Sequence, residues 1–188
     1  MTYDPSVHHR RSIRLPAFDY SRPGAYFVTL CTQQKRHLFG EIVESEMRLN
    51  EPGQMIQRWW TALPRKFPTV EIDSCVVMPN HIHAVLRIVG MGLRPPSGED
   101  ISTRVPLPRA VQWFKTMTTN DYLRHATESG WPPLAGKVWQ RDYYEHIIRN
   151  ADELNKIRES IITNPLRWEH DRDNPAALSG LDTETPWL

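Results

Sequence analysis

Two histidines two positions apart, His81 and His83, lie inside the apolar run HIHAVLRIV. Side chains alternate faces along an extended strand, so both imidazoles leave one side while Ile82, Ala84 and Leu86 enter the opposite layer. The usual rise puts the two rings about 7 Å apart along the strand, close enough to converge on one divalent cation. Imidazole suits Mn, Fe, Co, Ni and Zn better than Mg. The competing reading is a pair of histidines on a solvated sheet face, and the HxH pattern alone does not decide. A second group, Trp139, Gln140, Arg141, Tyr143, Tyr144 and His146, with Arg149 beyond it, mixes aromatic rings with polar and basic ends. Such a set can stack bases and hold phosphates of a single nucleic-acid strand, or its aromatics can pack under a helix. Lys115, and Arg10, Arg11 and Arg14 near the N-terminus, are further candidates for phosphate contact, against the alternative of solvated surface charge.

The elements that must position these residues can be read from pattern. Residues 25–32 (AYFVTLCT) are β-branched and aromatic, as a strand requires. Residues 41–49 suit a short strand pair. Asn50 is an N-cap candidate for a helix with Pro52 in its first turn, a stripe of Met55, Ile56, Trp59, Trp60 and Leu63, and Pro64 as its stop. Residues 70–78 and 81–89 read as strands separated by a Pro79-Asn80 turn. Residues 90–106 are rich in Gly, Pro and Ser and read as a loop. Helical spacing returns over 108–125. Residues 137–140 (KVWQ) suggest a last short strand, and Asn150 with Glu153 forms a capping-box pattern that opens a helix reaching about Thr163. The order of strand, helix, strand, strand, helix, strand, helix predicts an α+β, ferredoxin-like sandwich. Its sheet is mainly antiparallel, with helices on one face and an additional C-terminal helix.

The bulk numbers bound the reading. With 188 residues the chain fits one domain with tails: a flexible basic arm over 1–22, a domain over 23–170 and an acidic, flexible tail over 171–188. No apolar run is long enough for a membrane helix, and the start MTYDPSVHHRRSIRLP has no apolar signal core. Cys31 and Cys75 lie in strand-like runs and read as reduced core thiols of a cytoplasmic protein. The net charge of +1 is uneven. Residues 169–188 hold five acids against Arg172, so the rest of the chain carries about +5. A modestly basic body with an acidic tail raises the expectation that the tail covers the basic site.

The stretch VVMPNHIHAVLRI resembles the HUH motif (His, hydrophobic residue, His) of the single-tyrosine HUH transposases and their relatives, the REP-associated tyrosine transposases. AYFVTLCTQQKRHLFGEIV is similar to their first strand and hairpin, LPRAVQWFKTMTT to their middle helix, and VWQRDYYEHIIRNADELNKIRESIITNPLRWEHD to their C-terminal catalytic segment. Together these cover roughly residues 20–175. The resemblance implies binding of hairpin-bearing single-stranded DNA, often repetitive extragenic palindromes. It implies cleavage of one strand by a tyrosine, through a 5′-phosphotyrosine link that conserves the phosphodiester bond, assisted by Mg²⁺ or Mn²⁺. In that family a Tyr-Ile-x-x-Asn-Pro pattern on the last helix carries the nucleophile and a third metal ligand. Here it reads Ser160-Ile161-Ile162-Thr163-Asn164-Pro165. Asn164 takes the ligand position beside His81 and His83, and Ser160 takes the place of the tyrosine, four residues away on the same helix face. A serine is shorter than a tyrosine and its hydroxyl is far less acidic than a phenol. Three readings stay open: a transposase impaired in cleavage, a catalytically inactive DNA-hairpin binding protein on the same scaffold, and a metal-dependent hydrolase that activates water. Tyr143 and Tyr144 are candidate substitute nucleophiles, although the resembling proteins carry aromatics there without that role. Both monomer and homodimer are compatible with the pattern.

Overall fold

The computed structural model describes residues 18–89, 105–134 and 136–177. Arg10, Arg11 and Arg14, the loop around 90–104 and the end of the acidic tail lie outside the described residues. The elements are β1 (Gly24–Cys31), β2 (Gly40–Val43), β3 (Glu46–Leu49), α1 (Glu51–Thr61), α2 (Leu63–Lys66), β4 (Val70–Val77), β5 (His81–Ile88), α3 (Leu107–Glu128), β6 (Tyr144–Ile148) and α4 (Ala151–Ile162). A short 3₁₀ turn follows over Pro165–His170. β4, β5, β1 and β6 form one sheet in that order, and all three pairings are antiparallel. Setting aside the separate β2–β3 hairpin and the short α2, this is the strand order of a ferredoxin-like split βαβ arrangement. The fold is therefore α+β, as the sequence predicts.

Alternation along the strands sorts the sheet into two faces. Tyr26, Val28 and Leu30 of β1 and Ile82, Ala84, Leu86 and Ile88 of β5 enter the main core. There they meet Met55, Ile56 and Trp60 of α1 and Ala110, Val111 and Phe114 of α3. The Trp60 and Phe114 rings meet edge to face at 4.9 Å, a preferred aromatic geometry. The opposite face carries Ala25, Phe27, Val76, Val85 and Ile148, covered by Leu154, Ile157 and Ile161 of α4. Two helices thus lie on one side and α4 on the other, with both histidines under α4.

Two local signals work as read. Asn50 Oδ1 accepts from Gly53 N at 2.9 Å and Asn150 Oδ1 from Glu153 N at 2.8 Å, so both helices start where their caps stand. Glu153 departs from a strict capping box: its carboxylate accepts from Arg149 N at 2.6 Å, not from the cap residue itself. Two readings need correction. The last strand is Tyr144–Ile148, not 137–140. Trp139 makes only an isolated bridge to Thr32 and is otherwise a core side chain. Residues just past 170 are also packed, with Asp173 and Asn174 buried, where the acidic composition suggests a flexible tail from 171. Asn174 Nδ2 donates to Trp168 O at 2.9 Å, and Asp173 O accepts from Asn80 Nδ2 at 2.6 Å, across the whole domain.

Candidate metal centre

β5 delivers the two imidazoles and β1 helps to orient them. His81 pairs with Cys31 and His83 with Thr29 across the β1–β5 ladder, so all four side chains leave the α4 face. The His81 and His83 ring centroids are 4.3 Å apart, which turns the HxH spacing into a convergent pair. Thr29 Oγ1 contacts His83 Nδ1 at 2.8 Å. The tight turn before β5 fixes His81. Asn80 is fully buried, and its amide nitrogen donates to the carbonyls of Lys35 and Asp173. Asn80 Oδ1 is therefore the atom that faces His81 Nδ1, at 2.8 Å, and Nδ1 must carry the proton. His81 Nε2 is left as a bare lone pair, buried, with no hydrogen-bond partner among the described residues. A partner on Nδ1 that fixes the tautomer is the arrangement of a metal-ligating histidine.

Two elements from the C-terminal end close the site. Asp173 brings a carboxylate whose ligand atom lies within 4.8 Å of those of His81 and His83. Lys35 Nζ holds the same carboxylate at 3.1 Å. Asn164, just past α4, lies beside His81, and its Oδ1 is buried with no hydrogen-bond partner. Its Nδ2 donates to Asp171 Oδ2 at 3.2 Å, which turns that oxygen the other way. Two buried acceptor atoms, His81 Nε2 and Asn164 Oδ1, without a donor between them are costly unless a cation satisfies both. The residues present therefore fit a divalent ion held by His81, His83 and Asp173, with Asn164 adjoining. Sequence reading names His81, His83 and Asn164, and it misses Asp173, Asp171, Asn80, Thr29 and Lys35.

The electrostatics favour uncharged rings. Burial pushes His81 well below the usual imidazole range, to about 4, and burial followed by its neighbour His81 pushes His83 down as well. Both rings are then neutral and ligand-ready near neutral pH. Burial acts to raise the Asp173 carboxyl, but His81 in its protonated form and the Lys35 ammonium outweigh it and hold the group below its ordinary value. Cys31 lies against Asp173, and burial together with that carboxylate pushes its thiol up to about 12. Such a thiol is inert, as expected for a reduced core cysteine.

An open groove of about 790 Å³ begins at His83 and runs beneath α4. Lys156 and Ser160 of α4 and Asn164 just past its end, spaced four apart, line one wall, followed by Arg167, His170 and Arg172. Phe27, Tyr144 and His146 form the floor. The structure brings Ser160, Asn164, His83, Tyr144 and His146 together around one groove. It removes others. Trp139 cannot stack bases, because it is 3 % exposed and its Nε1 donates to Thr118 Oγ1 at 2.8 Å. Lys115 donates from Nζ to the carbonyls of Gln140, Arg141 and Asp142, so it ties down the 140–142 turn and is not a phosphate ligand. Tyr143 packs against the main core, away from the groove, and Arg149 is exposed but outside the groove lining. Gln140 and Arg141 stand outside the groove lining.

No family profile matches the chain. It is 38% identical over 181 residues to an uncharacterized protein of Haemophilus influenzae, covering 90% of this chain and 96% of that one, and it belongs to the same family as that protein. Among solved structures it is similar to a REP-associated tyrosine transposase bound to a REP hairpin. The TM-score is 0.49 and the identity 22%, over 84% of this chain and 74% of that one. It is also similar to a transposase-designated protein of Deinococcus radiodurans, with TM-score 0.43 and 14% identity over 82% of this chain and 98% of that one.

Proposed function

We propose that the chain is a DNA-binding protein of the single-tyrosine HUH transposase type, which takes hairpin-bearing single-stranded DNA into the groove under α4. The observation that carries the reading is the convergence of unpaired His81 Nε2 and Asn164 Oδ1 with His83 and Asp173, at the mouth of a groove lined by basic and aromatic side chains. His81, His83 and Asp173 would hold a divalent cation, Mg²⁺ or Mn²⁺, which when bound would polarise a phosphate oxygen and offset charge developing at a phosphodiester. Lys156, Arg167 and Arg172 supply the positive wall along which a strand's phosphates run, and Tyr144 offers a ring face to a base. The ordered resemblance from residue 20 to about 175 supports the same assignment.

At the position where the resembling proteins carry tyrosine, α4 presents the exposed Ser160. An alkanol is far less acidic than a phenol, so this reading expects poor cleavage by that hydroxyl. Ser160 also favours the second reading, a DNA-hairpin binding protein that keeps the scaffold and the metal centre without the cutting step. Labelled hairpin oligonucleotide is the test. The proposed function expects Mn²⁺-dependent binding that the His81→Ala and His83→Ala pair weakens, and expects Ser160→Tyr to form a covalent protein–DNA adduct. Binding that ignores both metal and the histidine substitutions sinks the metal part of the reading. A Ser160→Tyr protein that binds but forms no adduct leaves the binding-protein reading in place.

A further inference from the structure

We propose that Tyr144, on the sheet floor of the groove, is the nucleophile that replaces the missing helix tyrosine, a step that rests on the phosphodiester chemistry proposed above. The two adjacent tyrosines of the YYEH segment are separated by the strand alternation. Tyr143 packs against the main core with the Lys115 ammonium 5.4 Å from its ring. Tyr144 begins β6 and faces the other way, into the groove that also holds His83, Ser160 and Asn164.

Its placement relative to the metal centre follows from register. Tyr144 pairs with Thr29 on β1, and Thr29 pairs with His83 on β5. The three form one row across the sheet on one face, with Thr29 bonded to His83. Two inter-strand steps separate the backbones of Tyr144 and His83 by about 10 Å. Both long side chains rise from the same face, so a phosphate held at the histidine end has the phenol beside it. Phe27 fills the floor between them, its ring 5.4 Å from the His83 ring and 6.2 Å from that of Tyr144.

The surroundings suit the chemistry. The Arg172 guanidinium lies 5.9 Å from the Tyr144 ring centroid. Its backbone is fixed by Lys35 Nζ, which donates to Arg172 O at 2.8 Å. A guanidinium beside the ring stabilises negative charge on the phenolic oxygen as it attacks. The step balances as an exchange of esters. The bond from Tyr144 Oη to phosphorus forms, the bond from phosphorus to the leaving sugar oxygen breaks, and the phenolic proton ends on that oxygen. A covalent DNA–tyrosine ester and a free sugar hydroxyl result, and no external energy source is required.

The full chain is incubated with a labelled hairpin oligonucleotide and Mn²⁺, resolved under denaturing conditions, and any adduct is mapped by peptide mass spectrometry. Oligonucleotide binding and Mn²⁺ binding are measured separately by anisotropy and calorimetry. The expected result is an adduct on the Tyr144 peptide that falls about a hundredfold or more in Tyr144→Phe, with binding and melting temperature kept, and that persists in Tyr143→Phe. An adduct on any other residue, Ser160 included, overturns the proposal. So does strand cleavage without an adduct, the mark of a water nucleophile, and so does a wild-type chain that binds the oligonucleotide and Mn²⁺ but never cuts. Absence of both binding events removes the underlying reading, and Tyr144 with it.

Discussion

At the residue scale the metal centre depends on a few buried ligand atoms. Asp173 is 7 % exposed and shares its carboxylate between Lys35 and the histidines, so Asp173→Asn should reduce Mn²⁺ affinity about a hundredfold while leaving the melting temperature of the metal-free protein nearly unchanged. Calorimetric titration checks this, and an unchanged affinity would move the third ligand back to Asn164 alone. Thr29→Val removes the partner of His83 Nδ1 and should cost about tenfold in the same measurement. The depressed imidazoles also set a pH dependence. His81 is held to about 4 when folded and sits near 6.5 when unfolded, so between those values the unfolded chain binds protons that the native chain refuses. Stability of the metal-free protein therefore falls as pH drops from about 6.5 towards 4, by about 1.4 kcal/mol for each unit of depression, and is flat above that window with respect to this group. Thermal melts of wild type and His81→Asn across pH 4–7 should show the slope shrinking in the variant.

At the element scale the site exists only if α4 sits in register on the sheet. Ile161 is 2 % exposed and anchors α4 against Val85 and Ile148, so Ile161→Ala should cost about 2–5 kcal/mol of stability in denaturant unfolding. A second anchor comes from a bulge. The β4–β5 register shifts between Ile72 and Ser74, and the extra residue, Asp73, is free to meet Arg158 of α4 in a two-pronged pair with both contacts at 2.6 Å. The Arg158 guanidinium holds the Asp73 carboxyl below its ordinary value, so the pair is intact at neutral pH and loosens only as acid protonates Asp73. Arg158→Ala should raise hydrogen exchange across α4, leave the sheet protected, and weaken Mn²⁺ binding through Asn164. Much of this architecture is legible in the sequence, because strand alternation and Asn caps are local signals that survive folding. The sixth strand is misplaced because Val138 and Trp139 are as apolar as strand residues, although their apolar surface is spent on the core beneath α3. Asp171 and Asp173 are hidden for a different reason. An acidic, Pro-containing stretch reads as solvated, and the contacts that bury it reach residues 93 and 137 positions away, to Asn80 and Lys35, where no short-range pattern extends.

At the scale of the whole molecule, a net charge of +1 conceals how the charges are divided between site and surface. Of the acids near the C-terminus, Asp173 faces Lys35 and the histidines, and Asp171 is turned to Asn164 and to His81 Nε2, 3.9 Å away. Their negative charge is directed at the metal centre, so the groove that leads from it keeps Lys156, Arg167 and Arg172 as a positive wall. Lys156 is on α4, Arg167 in the 3₁₀ turn and Arg172 in the packed segment past residue 170, so three separate segments must assemble before the wall exists. A strand lying along it releases one counterion for each phosphate neutralised, and the logarithm of affinity then falls with the logarithm of salt by about 0.7 per contact for single-stranded DNA. Lys156→Ala and Arg167→Ala should each lower oligonucleotide affinity and flatten that slope by about 0.7, and the double variant by about twice that, in anisotropy titrations between about 50 and 200 mM salt. Both side chains are exposed and bear no core contact, so melting temperatures should not move. A slope unchanged in the double variant would place the strand elsewhere, most directly on the N-terminal Arg10, Arg11 and Arg14, whose removal would then carry the effect.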